Sequence, residues 1–414
     1  MNTSPVCFEI SLGAQKLQTT FPASTVELSI REPKLRMTGD LFCSRLDVFL
    51  QENLLDLSNL IIVVTDKTRL CEYPQYLPLL IKTLLKYGMQ QENLRFIIAY
   101  GTHAAQCDEE SRKLYGSSFT DFSFLHHDCD DRENFVELGT TTRGTPIRFR
   151  RDLMEASAVI TMGPIVHHYF AGYGGGRKLL FPGCGERQAI YKNHGLYLDS
   201  KQKTLAPNCQ PGTVQDNPLG DDLFEIAAKK PADLAIHGIL DSQGNIADIL
   251  FGNNWKVYEK ACTIHGRNCE IQSEQFDLVI ASGGGFPKDI NFIQSHKAIH
   301  NAAMFVKDDG LLIIYSECRQ GIGSTTFLPW FEMKDYTKAF EKLSYNYEGN
   351  GGTALSMMAK LKRIRIAMVT NLDEKLCSLI GVEKLNQQQV EKLLNQTDLT
   401  PAWISNASLL VKKN

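Results

Sequence analysis

Short apolar runs alternate with amphipathic stretches along most of this chain. Leu60–Thr65 (LIIVVT), Leu94–Tyr100 (LRFIIAY) and Ala158–Met162 (AVITM) are almost continuously hydrophobic, as strands buried on both faces of a parallel sheet are. Between them, Tyr76–Tyr87 and Asp108–Tyr115 repeat at helical spacing. Asp233–His237 (DLAIH) reads as a fourth strand. A second series begins at Leu278–Ala281, continues through a helix over about Ile290–Phe305, and adds strands at Leu311–Tyr315 and Arg365–Val369. The pattern weakens over Glu259–Gln275, which places a boundary there, with one unit at residues 1–262 and another at 274–414. At the ends, Thr25–Ile30 predicts an edge strand or small hairpin, Glu383–Leu394 a helix, and Ser408–Val411 a weak closing strand. The expectation is an α/β protein of two domains, each built on a mainly parallel sheet flanked by helices.

In such sheets ligands bind beyond the carboxyl ends of the strands. Three successive strand ends deliver Asp66 with Arg69, then His103, then His168. The last opens the stretch Gly163–His194, which holds His167, His168 and His194, the glycines Gly172, Gly174, Gly175 and Gly176, and the pair Arg177 and Lys178. Glycines admit a ligand close to the backbone, and imidazoles and amines move protons, bind metals and form covalent links. Of the adjacent His167 and His168, only one is expected to face a site, and His168 is preferred. In the second unit the glycine-rich SGGGFPKD (Ser282–Asp289) leads into a helix whose Gln294, Lys297 and Asn301 share a face.

Composition narrows the picture. The formal net charge of −3 offers no nucleic-acid footprint and no polybasic membrane patch. The N-terminus lacks the basic and apolar regions of a signal peptide, and no stretch reaches the ~20 apolar residues that span a bilayer. Eleven scattered cysteines without a CxxC fit a reducing cytoplasm better than a disulfide framework or a structural zinc site. GYGGGRK is neither a P-loop nor a dinucleotide fingerprint. His126 and His127 sit in a polar loop with no further ligand at a useful spacing. His237, His265, His296 and His300 read as structural.

Two histidines arriving from different strands suit a two-base reaction, each serving one face of a substrate. Arg69 and Lys297 suit a carboxylate. Lys178, if buried, suits covalent attachment. Histidines alone cannot break a C–H bond beside a secondary alcohol, so a cofactor is required as electron or hydride sink. The residues do not declare which.

The segments DKTR at 66–69, GTH at 101–103, HYFAGYGGGRK at 168–178, PG at 182–183, NH at 193–194 and GGGFPKDINFIQSHK at 283–297 resemble those of the lactate racemase family, and the resemblance covers nearly the whole chain. It implies an isomerase in which a nickel-pincer nucleotide (a pyridinium-3,5-bisthiocarboxylic acid mononucleotide carrying nickel) is covalently attached to Lys178, with His194 as the protein's nickel ligand. It implies His103 and His168 as the acid/base pair, with hydride passing reversibly between the substrate α-carbon and the cofactor. Arg69, Gln294 and Lys297 would hold the substrate. Asp66, Thr68 and Arg69, with Gly172, Gly174, Gly175 and Gly176, would hold the nucleotide. The site would lie in the cleft between the domains. The implied partners are a small 2-hydroxy acid and the proteins that make and insert the cofactor.

The chain departs from the family's usual pattern at Ala104 and Ala105, at Val166 and His167, and at Gly174. These positions bear on the substrate more than on the chemistry, and leave room for a larger or more polar 2-hydroxy acid or a sugar acid. Two other readings compete. An oxidoreductase releasing the 2-oxo acid would need a dissociable cofactor. A non-catalytic nickel-nucleotide carrier would need Lys178 and His194 but neither His103 nor His168.

Overall fold

The structure is a computed structural model, and it describes residues 4–413. Two six-stranded sheets organise it. In the first, the strand order in space is Ile246–Gly252, Leu234–Leu240, Ala158–Pro164, Leu60–Thr65, Leu94–Ala99 and Ser123–His126, and all neighbours run parallel except the first pair. Every residue of the central strand Leu60–Thr65 is buried, so its unbroken apolar run is explained by cover on both faces. Helices Gly39–Glu52 and Tyr73–Lys86 cover one face, and Pro146–Arg150, Arg177–Leu180 and Pro218–Ala227 contribute to the other.

The second sheet is wholly parallel, in the order Glu383–Leu385, Arg365–Val369, Val306–Tyr315, Phe276–Ser282, Ala402–Ile404 and Val26–Leu28. Its last strand corrects the expected division of the chain. Val26–Leu28 falls within the unit drawn at residues 1–262, yet it pairs with Ala402–Ile404. The preceding hairpin, Val6–Leu12 with Gln15–Phe21, packs Ile10 and Phe21 against Trp403 and Ile280 of the second sheet. Period-2 alternation marks a strand but says nothing of which sheet it joins. The stretch where the pattern weakened is also structured. Trp255–Cys269 is a helix capped by Asn254 and packed on the first sheet, and Glu270–Ile271 then pairs with Val411–Lys412.

Two further differences are local. The expected helix at 383–394 splits into the edge strand Glu383–Leu385 and the helix Gln387–Gln396, because Asn386 caps the latter with a reciprocal Gln389 contact. The closing strand lies at Val411–Lys412 rather than 408–411. All eleven cysteines are free. No helix among the described residues is long and apolar enough to cross a membrane.

Candidate active site

The strands Ala158–Pro164, Leu60–Thr65 and Leu94–Ala99 are neighbours, so the residues following them meet at one edge of the first sheet. Asp66 follows the middle strand and is 5% exposed. Its Oδ2 lies 2.7 Å from Nδ1 of His103, and its Oδ1 accepts from the Thr68 hydroxyl at 2.6 Å and the Thr68 amide at 3.0 Å. Burial alone would raise the carboxyl, but the hydrogen bonds and charge of His103 and the Thr68 donors outweigh it and hold Asp66 at about 2. An ionised carboxylate only accepts, so Nδ1 of His103 carries the proton and Nε2 is the nitrogen left for a substrate. Asp66 was expected on a nucleotide. The structure ties both of its oxygens to protein donors. His103 itself is half-exposed at the mouth of the site.

His168 arrives on the hairpin formed by Val166–His168 and Gly172–Gly174. Its Nδ1 accepts from the Ala171 amide at 3.3 Å. Burial first, then the neighbouring basic groups Lys178, Arg69, Lys297 and His194, push its pKa well below the ordinary value. It is therefore a neutral imidazole. His167 points the other way and bonds Glu270, as adjacent residues on a strand must diverge.

Phe170 is the hub of the site. Its buried ring has its centroid 4.5 Å from that of His168, 5.0 Å from that of His194 and 5.6 Å from Nζ of Lys178. Lys178 sits in the short helix Arg177–Leu180 and is 9% exposed. Burial, then Arg69, Arg177 and Lys297, lower its pKa far below that of a free lysine, and no carboxylate pairs with it among the described residues. Burial of an uncompensated amine favours its neutral, nucleophilic form. Its neighbour Arg177 is spent elsewhere, donating to the Tyr258 hydroxyl and stacking on Trp255.

His194 lies on helix Arg187–Gly195, whose N-terminus is capped by Glu186 accepting from Ala189 N at 2.9 Å. The preceding Asn193 donates to Asp222 at 2.8 Å and pins the helix to the first unit. His194 then meets Tyr347 of the second unit edge-on at 6.0 Å. Burial, then Lys178 and His103, lower its pKa to about 3. Neither ring nitrogen makes a hydrogen bond among the described residues, so a neutral lone pair is free for a metal.

The second unit supplies Lys297, whose Nζ donates to Gln294 Oε1 at 2.6 Å. Asn291 caps this helix, Phe292–Ala303, by accepting from Gln294 N. Burial and then Arg69 lower Lys297 to about 7, against an opposing pull from Asp66. Tyr169 crosses between the units, hydrogen-bonding Thr353 at 3.0 Å and packing edge-on to His296. A groove of about 820 Å³ beside Tyr191, Gly195 and Tyr347 flanks this junction without containing Lys178 or His103.

The glycines expected to hold the nucleotide also serve the packing of the chain. At Gly172 (φ +74°) a Cβ would stand 2.1 Å from the Thr213 carbonyl oxygen, and at Gly175 (φ +81°) 2.3 Å from that of Pro164. At Gly176 it would meet the Tyr258 ring. At Gly174 it would lie 2.2 Å from Nη1 of Arg69. These glycines let the chain, and the Arg69 guanidinium, cross at close range. Phe286 of the glycine-rich turn is half-exposed under Arg319. Sequence reading missed the Asp66–His103 pair, although two polar residues at adjacent strand ends were its visible signal. It also missed Tyr169 and Glu270, which had none.

The lactate racemase N-terminal domain family matches residues 46–206, and the lactate racemase C-terminal domain family matches residues 271–378. A lactate racemase from Thermoanaerobacterium thermosaccharolyticum is 30% identical over 287 residues, covering 69% of this chain and 66% of that protein. One from Lactiplantibacillus plantarum is 26% identical over 271 residues, covering 65% and 62%. The matched stretches thus span a little under two thirds of those relatives. Among solved structures, the lactate racemase apoprotein from Thermoanaerobacterium thermosaccharolyticum superposes with a TM-score of 0.86 at 23% identity, over 99% of this chain and 100% of that one. A protein from Thermotoga maritima gives 0.71 at 18% identity, over 93% and 100%. These likenesses show the fold.

Proposed function

Because the chain belongs to the lactate racemase family, we propose that it is a racemase or epimerase that inverts C2 of a 2-hydroxy acid. The observation that carries this reading is that His103 and His168 follow the two strands flanking Leu60–Thr65, with unlike surroundings. His103 has a carboxylate behind it, and His168 is buried beside basic groups with no carboxylate hydrogen-bonded to it.

The cofactor expected from the family, a nickel-pincer nucleotide, fits the donors present. Lys178 offers a buried amine, its neutral form favoured by its surroundings, for the covalent link, and His194 an unengaged imidazole for nickel. When bound, that group supplies a reversible hydride acceptor. The chain's residues do the rest. Lys297 and Arg69 attract the substrate carboxylate, with Gln294 holding the Lys297 amine in place. On one face His103 Nε2 exchanges a proton with the substrate hydroxyl, and Asp66 stabilises the imidazolium formed. On the other face His168 plays that part for the opposite enantiomer. Tyr169, Phe170 and Tyr347 wall the cleft and keep water from a planar 2-oxo acid while it turns. Arg69 and, below about pH 7, Lys297 favour the carboxylate but leave the substrate's side chain open, so lactate, a larger 2-hydroxy acid or a sugar acid all remain within the class.

Single variants test the reading. His103→Ala and His168→Ala should each keep the covalent group, seen as added protein mass, and lose inversion. Lys178→Ala should lose both. Full-rate inversion by His103→Ala would refute the two-base assignment. Loaded protein that consumes hydroxy acid and releases 2-oxo acid would favour the oxidoreductase, and loaded protein inert to every hydroxy acid the carrier.

A further inference from the structure

His167 is not idle. It stands beside His168 on the site hairpin, opposite Tyr173 on the returning strand. Its side chain is 3% exposed, and its Nε2 lies 3.0 Å from Oε1 of Glu270. The Tyr173 hydroxyl donates to the same oxygen at 2.5 Å. The His167 ring stacks on Tyr173 at 4.9 Å and lies 4.7 Å from His265. Space is kept for the carboxylate. A Cβ at Gly266 would come within 2.7 Å of Glu270 Oε1, and one at Gly212 within 2.9 Å. Burial works against the Glu270 charge, but the donors His167 and Tyr173 outweigh it and lower its pKa.

This arrangement is costly as mere filling. Burying a carboxylate needs good partners, and an apolar side chain would fill the space without that penalty. His167 Nδ1 is itself buried without a partner. What the arrangement provides is a fixed strand. His168 has one long tether of its own, the 3.3 Å contact from Ala171 N. Its aim otherwise rests on its packing against the Tyr169 and Phe170 rings and on the strand backbone it shares with His167, since neighbouring side chains leave opposite faces of one strand.

We infer that His167, Tyr173 and Glu270 form a clamp that positions His168 for proton transfer, an inference that rests on the functional reading above. The clamp also joins the hairpin to the strand Glu270–Ile271 where the chain passes between the units.

The test uses protein loaded with cofactor. Loading should be the same in wild type, His167→Ala, His167→Gln and Glu270→Gln. In His167→Ala and Glu270→Gln, kcat should fall at least about tenfold with KM within about twofold, because small misplacement of a reacting group is expensive. His167→Gln keeps an N–H able to reach Glu270 and should recover most of the loss. If His167→Ala does not fold, Tyr173→Phe removes one donor and is judged by the same split. In the apoprotein, amides of residues 166–174 should exchange hydrogen faster in the variants, with the remainder unchanged. Unchanged kcat, or Gln no better than Ala, would overturn the clamp, as would unaltered exchange. A wild-type protein inert to every hydroxy acid would sink the functional reading instead, and the exchange measurement would still decide the clamp.

Discussion

Nδ1 of His103 donates to Oδ2 of Asp66 across 2.7 Å, from the end of one strand to the end of its neighbour. That bond selects the tautomer of His103 and frees Nε2 for chemistry. His168 has no such partner. Its pKa is driven down by burial and by four surrounding basic groups. The two faces of the site therefore differ in kind, although a racemase must serve both enantiomers.

The first prediction concerns the carboxylate. Asp66→Asn keeps the shape and removes the charge that orients and stabilises His103. Activity should fall by roughly 10²–10⁴-fold, the scale seen when a histidine base loses its carboxylate. Cofactor loading should be unchanged, and steady-state rates beside intact mass will show both. A loss of less than about threefold would mean that the bond is only structural.

The second concerns pH. Burial and Arg69 lower Lys297 to about 7, so its ammonium is present below that value and is lost above it. Attraction for the substrate carboxylate should therefore weaken as pH rises through about 7, with kcat/KM falling by at most about tenfold per unit. Asp66, at about 2, stays ionised throughout and contributes nothing to that limb. In Lys297→Arg, whose side chain stays charged, the limb should move to higher pH.

The third separates attachment from metal binding. Lys178→Arg should carry no covalent group, because a guanidinium is not a nucleophile near neutral pH. His194→Ala should retain the added mass and lose nickel by elemental analysis. Undiminished nickel in His194→Ala would place the ligand elsewhere.

The fourth concerns the hairpin. Gly172→Ala puts a Cβ 2.1 Å from the Thr213 carbonyl at φ +74°. It should cost roughly 1–3 kcal/mol from backbone strain alone, and more from the clash, read as a fall in the unfolding midpoint. Gly174→Ala meets side chains only, the end of Arg69 at 2.2 Å and Val166 Cγ2 at 3.2 Å, and no backbone. It should leave stability nearly unchanged and alter substrate affinity.

Much of this was legible in the chain. The runs at 60–65, 94–100 and 158–162 mark adjacent parallel strands because strands buried on both faces need continuous apolar residues. Strand ends in such a sheet converge, so Asp66, His103 and His168 could be gathered without coordinates. Other features depend on contacts between distant segments. Nothing local in Val26–Leu28 says that it closes the second sheet beside Ala402. The glycines of 172–176 advertise close approach, but only the fold shows that Thr213, Pro164, Tyr258 and Arg69 are what approach. Glu270, at the end of a helix in a stretch of weak pattern, gave no sign of its tie to His167.

In the proposed reaction the site inverts a 2-hydroxy acid by taking and returning the same hydrogen. The most direct measurement incubates loaded protein with single enantiomers of 2-hydroxy acids and sugar acids deuterated at C2. Configuration is read by chiral chromatography and label by mass spectrometry. At least one member should be inverted, with deuterium kept at C2 and no build-up of 2-oxo acid. Inversion with the label lost to water, accumulation of the 2-oxo acid, or no inversion by fully loaded protein would contradict it.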